Sequence, residues 1–227
     1  MNAIEIKNVE FSYSTTPNKP ILQIAHWHVK QGEQVFIQGL SGSGKSTLLN
    51  LVCGLNLPNS GSVKVLGKSL VSMNSRQRDK FRSAHIGYIF QQFNLISYLS
   101  AIDNIKLASH FSTIKQSDTL LEEIHTLLTT LNLKSQDWQR PVEQLSVGQQ
   151  QRVGIARALI NKPQIIIADE PTSSLDEAAR DSFVSLLSSL CKEYASTLLF
   201  VSHDSSLSSY FHSTIALADI NKTEPVR

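Results

Sequence analysis

Cysteine, methionine and tryptophan are scarce, at two residues each in a chain of 227. Cys53 and Cys191 fall in apolar helical stretches without metal-ligand spacing, so buried free thiols are expected rather than a disulfide. No run approaches the ~18–20 continuous apolar residues of a membrane span, so no direct span is expected. A surplus of one charge is missing as well. Lys and Arg number 21 against 19 Asp and Glu, a formal net charge of +2, which argues against a dedicated nucleic-acid binder with its concentrated basic face. The opening Met1-Asn-Ala-Ile-Glu-Ile-Lys7 has neither the basic flank nor the apolar run of a secretion signal, which leads to the expectation of a cytosolic chain. Intrinsic disorder is excluded too, because 41% of residues are hydrophobic and only 18% charged, enough to bury a core.

What is present alternates between strand and helix signals. Ile4, Ile6 and Val9 keep a loose alternation, and Gln34-Val-Phe-Ile-Gln38 is β-rich and runs into a glycine-dense loop. A helix is predicted from Ser46 to Cys53, stopped by Gly54 and Pro58, then a turn at Asn59-Ser-Gly61 and a strand over Ser62–Leu66. Between Ser117 and Leu131 the apolar residues Leu120, Leu121, Ile124, Leu127, Leu128 and Leu131 keep helical spacing. Ser117, Asp118 and Thr119 each offer an N-cap there, and Thr119 with Glu122 fits a capping box. A further helix is predicted over Gln149–Asn161, a doubly buried strand over Ile165–Ala168, a helix over Asp176–Tyr194 and a second buried strand over Thr197–Val201. The simplest assembly is an α/β parallel sheet interrupted by a mostly helical insertion.

Three segments carry chemistry. Gly39-Leu-Ser41-Gly42-Ser43-Gly44-Lys45-Ser46 matches the P-loop pattern between a β-rich run and a helix. Glycines let consecutive N–H groups turn inward to cradle phosphate oxygens, and the helix N-terminus adds its positive end. Lys45 would reach the β- and γ-phosphates, Ser46 would hold Mg²⁺, and Thr47 would touch the α-phosphate. Ile165-Ile-Ile-Ala-Asp169-Glu170 puts two carboxylates at the end of a buried strand, where such sheets bind ligands. Asp169 suits Mg²⁺, and Glu170 suits the water that attacks phosphate. Leu145-Ser146-Val147-Gly148-Gln149 places Ser and Gln in the relation of a capping box. Such a box caps a helix whatever else it does, yet its hydroxyl and the Gly148 N–H also make an anion site.

Together the three segments resemble the ATP-binding cassette (ABC) ATPases, over most of the chain from about Ile4 to Leu217. The resemblance implies a P-loop NTPase (RecA-like) parallel core with an N-terminal antiparallel β subdomain and an inserted α-helical subdomain. It divides a single domain into 1–90 and 155–227 for the core and 91–154 for the helical arm. It makes His203, within Ser202-His-Asp204, the switch histidine at the γ-phosphate. Gln91 becomes the glutamine that senses Mg²⁺ and water, with Gln92 beside it as a competing register. Tyr13 becomes the aromatic that stacks on adenine, with Phe11 a nearby alternative, and Ser174-Leu-Asp176 the D-loop between subunits. Ser146, Gly148 and Gln149 are implied to contact ATP bound by a second copy, so a head-to-tail homodimer with ATP and Mg²⁺ in its interface is expected.

A transmembrane permease on a separate chain is the further partner implied, docking on the apolar Phe93–Leu99 stretch, with the cassette peripheral on the cytoplasmic face of a bacterial inner membrane. The run Ile86–Leu95 is similar to the lipoprotein-releasing and macrolide-exporting group (LolD and MacB type). Two positions depart from the pattern: Val147 replaces the first signature glycine, and Ser173-Ser174 stands where that group reads Gly-Asn. Three alternatives stay open. One is a non-transport ABC ATPase regulating a membrane partner. Another is a nucleic-acid cassette using Arg76, Arg78, Lys80 and Arg82, and the last a small-molecule kinase.

Overall fold

A computed structural model describes residues 1–111, 119–173 and 175–223. The caps offered by Ser117 and Asp118, and Ser174 of the D-loop resemblance, lie outside the described residues. The chain opens with β1 (Asn2–Phe11) and β2 (Leu22–Lys30), followed by β3 (Gln34–Gln38) and α1 (Lys45–Val52). After β4 (Ser60–Val65) and β5 (Lys68–Ser69) come α2 (Ser75–His85), β6 (Ile86–Ile89), α3 (Ala101–His110) and α4 (Leu120–Thr130). Next are α5 (Val147–Leu159), β7 (Ile165–Asp169), α6 (Glu177–Glu193), β8 (Thr197–Ser202), β9 (Ser213–Ala216) and α7 (Leu217–Ile220).

The strands form two sheets. One is antiparallel in the order β2-β1-β4-β5, the other parallel in the order β6-β7-β8-β3-β9. Side chains alternate across the parallel sheet as the pleat requires. Val35, Ile37, Ile165, Ile167, Leu199 and Val201 face the antiparallel sheet and α1. Phe36, Ile166, Ala168, Leu198 and Phe200 face α5, α6 and the inserted helices. The first four residues of β7 are buried, and each large aliphatic side chain there contributes ~1.5–3 kcal/mol. This layering is the P-loop NTPase arrangement expected from the resemblance.

Differences from the sequence reading have local causes. Ser60 and Gly61 belong to β4 rather than to a turn. Gly61 sits at φ +84 beside a register shift, where a Cβ would stand 2.2 Å from the Asn8 carbonyl oxygen. Helix α5 starts at Val147 because Ser146 is the N-cap, with both halves of its box to Gln149 formed. It stops at Leu159, and Lys162 then adopts a left-handed φ of 47 and donates to the Leu159 carbonyl. Thr119 does cap α4, but without a side-chain cap bond. Phe93 is buried rather than offered to a partner, whereas Tyr98 is exposed.

Half of the basic cluster on α2 has structural work to do. Arg78 donates to the Gly54 and Met73 carbonyls, and Arg82 to the Cys53 carbonyl, which satisfies the end of α1. Both cysteines are free and buried, and burial pushes each thiol up to about 12, the state of an unreactive side chain.

Candidate active site

The loop from β3 into α1 bends through two left-handed glycines, Gly42 at φ 77 and Gly44 at φ 100. Gly44 is the N-cap of α1, and no acidic residue occupies the first turn, so the helix presents an uncompensated positive end. Lys45 is buried. Its Nζ donates to the carbonyls of Gly39 at 2.6 Å and Leu40 at 3.0 Å and lies 3.5 Å from Glu170 Oε1. Ser43 Oγ is buried without a partner among the described residues, an unusual cost unless an incoming group satisfies it.

The carboxylates arrive from β7. Asp169 Oδ2 accepts from the Tyr88 hydroxyl at 3.0 Å and faces Ser46 Oγ at 3.5 Å. Burial raises the Asp169 carboxyl above its ordinary value; the Tyr88 hydrogen bond opposes this, the Glu170 charge adds to it, and Lys45 and Ser46 oppose it. Burial pushes the Tyr88 hydroxyl itself well up, so it stays a donor. Glu170 has a left-handed φ of 48, which turns it out of the strand direction. Its Oε2 lies 2.9 Å from His203 Nδ1, at the end of β8.

One cavity of about 720 Å³ collects these groups: Ser41, Gly42 and Gly44–Thr47, with Tyr13, Gln91, Asp169, Glu170 and His203. Gln91 lines it and Gln92 does not. Tyr13 is on the rim, its hydroxyl 3.0 Å from Thr47 Oγ1 and its ring edge-on to Phe11, which is itself buried. Gly39 and Ser43 line an adjoining cavity, which His203 shares. Ser146, Gly148, Gln149 and Asp176 line neither. Ser146, Val147 and Gly148 are exposed at the start of α5, and Asp176 is exposed as the N-cap of α6, accepting from the Ala179 N–H.

Several supporting residues had no signal in the sequence. Tyr88 is one. Arg157 is another: it donates to the carbonyls of Phe93 and Asn94, consecutive residues held at φ 54 and 46 just beyond Gln91. Two such conformations cost ~1–3 kcal/mol each, and the guanidinium holds them. Arg180 donates to Asp204 at 2.8 Å and so braces the residue after His203.

The Tyr88 contact predicts a pH effect. Tyr88→Phe removes the hydrogen bond that favours ionised Asp169, so the carboxyl rises further. The acid limb of kcat/KM should then move to higher pH. An unmoved limb would mean that Asp169 does not govern it.

Residues 22–173 match the family model described as ABC transporter. A macrolide export ATP-binding/permease protein MacB of Aggregatibacter actinomycetemcomitans is 38% identical over 96% of this chain, which spans only 34% of that polypeptide. A lipoprotein-releasing system ATP-binding protein LolD of Porphyromonas gingivalis is 36% identical, covering 90% of this chain and 91% of that one. Among solved structures, the dimeric post-hydrolysis state of the ATP-binding cassette MJ0796 bound to ADP and Pi superposes with a TM-score of 0.85. It is 34% identical, with 99% of each chain covered. The family match takes in the loop, both carboxylates and the α5 cap in one stretch, and the chain belongs to the ABC transporter family as one of its ATP-binding, ATP-hydrolysing cassettes.

Proposed function

We propose that this cassette works as a head-to-tail homodimer that closes on two ATP molecules and drives a separate transmembrane permease. The observation that carries the reading is the division of the site. The phosphate loop, Asp169, Glu170, Gln91 and His203 share one cavity, while Ser146, Gly148 and Gln149 stand outside it at an exposed, positively polarised helix end. A second copy supplies the missing wall. The MJ0796 cassette being dimeric supports this arrangement. MacB, by its name, joins ATP-binding and permease parts in one protein, and no helix among the described residues here is long and apolar enough to cross a membrane. The LolD relative, named as the ATP-binding protein of a lipoprotein-releasing system and matched over 91% of its length, supports a permease on another chain, with the cassette peripheral on the cytoplasmic face of a bacterial inner membrane and Tyr98 on the docking side.

The residues then take these roles. Lys45 exchanges its two carbonyl acceptors for the β- and γ-phosphates, and Ser41, Gly42, Ser43, Gly44 and Thr47 complete the cradle that starts at Gly39. Ser43 Oγ gains the partner it lacks. Tyr13 stacks on the base. Ser46 Oγ and Asp169 Oδ2, with the Gln91 side chain on the same wall, form an oxygen-only set that fits a hard cation such as Mg²⁺. Such a cation neutralises charge on the β- and γ-oxygens when bound. Glu170 takes the proton of the attacking water, and His203 holds that carboxylate through Nδ1 and faces the γ-phosphate. Asp176 fixes the start of α6 at the subunit boundary, and residues 91–154 form the arm that carries Ser146 to the opposite copy.

Dilution tests the reading. Turnover per molecule should rise with protein concentration in the range where dimers form. A per-molecule rate indifferent to dilution, with monomers throughout, overturns it.

A further inference from the structure

Asp137 is a buried carboxylate that none of the roles above uses. It ends the 3-10 turn Ser135–Asp137, nine positions before Ser146 in the chain, and is only 2% exposed. Burying a charge is costly unless donors surround it, and here two do. Arg140 donates to Oδ1 at 2.9 Å, and the Gln149 side-chain amide donates to Oδ2 at 2.8 Å. The other end of Gln149 faces the signature turn, where its Oε1 accepts from the Ser146 N–H at 2.8 Å. Ser146 Oγ in turn accepts from the Gln149 N–H at 3.3 Å. Arg140 also donates to the Gln144 carbonyl, bracing the 3-10 turn Val142–Gln144 that leads into Ser146.

The chemistry of this chain of bonds is directional. An ionised carboxylate only accepts, so Asp137 fixes which end of the Gln149 amide faces it. The amide oxygen is thereby committed to the Ser146 backbone, and the Ser146 hydroxyl, already accepting from Gln149, keeps its own proton to donate outward. Gly148, whose N–H is the second donor, lies two residues on at the same exposed helix start, and beyond its own turn nothing comes within 4 Å of the place a Cβ would take. Neither donor depends on the P-loop of the same copy.

We infer that Asp137 is a positioning residue for the nucleotide contacts made across the dimer, acting through Gln149 on Ser146. This rests on the reading that Ser146 and Gly148 meet ATP held by a second copy. Loss of Asp137 frees the Gln149 amide to rotate, so the outward donors lose their fixed aim while the P-loop of the same copy is untouched.

The test uses the full chain with Mg-ATP. Asp137→Ala should lower kcat by about tenfold to a hundredfold, while the dissociation constant of a fluorescent ATP analogue on the monomer stays within about twofold. Asp137→Asn loses one of the two bonds, and Gln149→Glu sets two carboxylates against each other, so each single change should slow turnover. The double variant Asp137→Asn/Gln149→Glu restores the pattern in reverse. The introduced amide donates to the introduced carboxylate and still accepts from Arg140, and the carboxylate still accepts from the Ser146 N–H. Its kcat should exceed that of either single variant, a recovery that a merely structural carboxylate does not give. These three variants keep the polar packing and carry the test should Asp137→Ala fail to fold. A double variant no faster than the singles, or nucleotide binding that falls along with kcat, overturns the inference. Full activity in Asp137→Ala beside a crippled Ser146→Ala overturns it alone. Full activity in both overturns the dimer reading beneath it.

Discussion

Glu170→Gln should stop turnover and leave nucleotide binding intact, so that ATP accumulates on a closed dimer instead of being released as product. The amide has the same shape as the carboxylate and keeps its neighbours, with His203 Nδ1 at 2.9 Å and Lys45 Nζ at 3.5 Å. What it loses is the ability to take a proton. A positioned general base contributes roughly 10²–10⁴-fold, so the residual kcat should fall by that factor or more. ATP contacts are retained because the phosphate cradle is supplied by the loop between β3 and the start of α1, which the substitution leaves in place. Binding of ATP by both copies, without hydrolysis to undo it, favours the closed dimer by mass action. Size exclusion in ATP should therefore give a stable dimer with this variant. Monomers saturated with ATP would contradict the shared site.

Lys45→Ala should act at the preceding step. The ammonium is buried beneath the phosphate cradle and is already desolvated by its contacts with the Gly39 and Leu40 carbonyls. On the proposed reading it is preorganised to exchange those neutral acceptors for charged phosphate oxygens. Charge-assisted hydrogen bonds of this kind are worth about 1.5–3 kcal/mol each, which corresponds to roughly a tenfold to hundredfold weaker dissociation constant. Calorimetric titration with ATP should show that loss already in the monomer. The two substitutions separate cleanly: one lowers affinity, the other lowers kcat at unchanged affinity. Unchanged ATP affinity in Lys45→Ala would remove the phosphate contact from the account.

The pH dependence belongs to a third residue. Asp169 has its carboxyl raised chiefly by burial, so the folded chain holds that proton more tightly than the unfolded one does. The contribution to stability is favourable below the ordinary carboxyl value and is lost as pH rises through the raised one. Above that range the ionised carboxylate is held by the Tyr88 hydroxyl, Ser46 and the Lys45 charge, the condition that the proposed cation site requires.

The sequence was enough for the features that are local. The P-loop is eight consecutive residues, Gly39–Ser46, and its left-handed glycines, strand and helix follow from that stretch alone. The buried strand Ile165–Asp169 was legible from an unbroken aliphatic run, and the box at Ser146 and Gln149 from a spacing of three. The order of these segments sufficed for the family. Strand β2 and helix α3 were not read out, and β1 showed only as the loose alternation of Ile4, Ile6 and Val9, because half-buried or polar faces give weak periodicity and their partners lie elsewhere in the chain.

Tertiary structure alone decided which distant residues meet. Tyr88 reaches Asp169 only because β6 pairs in parallel with β7, with Ile89 opposite Ala168. Arg157 reaches Phe93 and Asn94 across 64 and 63 positions of the chain, and Arg180 reaches Asp204 across 24. It also decided that Phe11 and Phe93 turn inward while Tyr13 and Tyr98 stay outside. The physical reason is common to all of them. Caps, turns and amphipathic faces are set by neighbours a few residues apart, which the sequence displays directly. Sheet register and burial are set by the packing of whole layers, and a single side chain carries no mark of the partner that packing will bring to it.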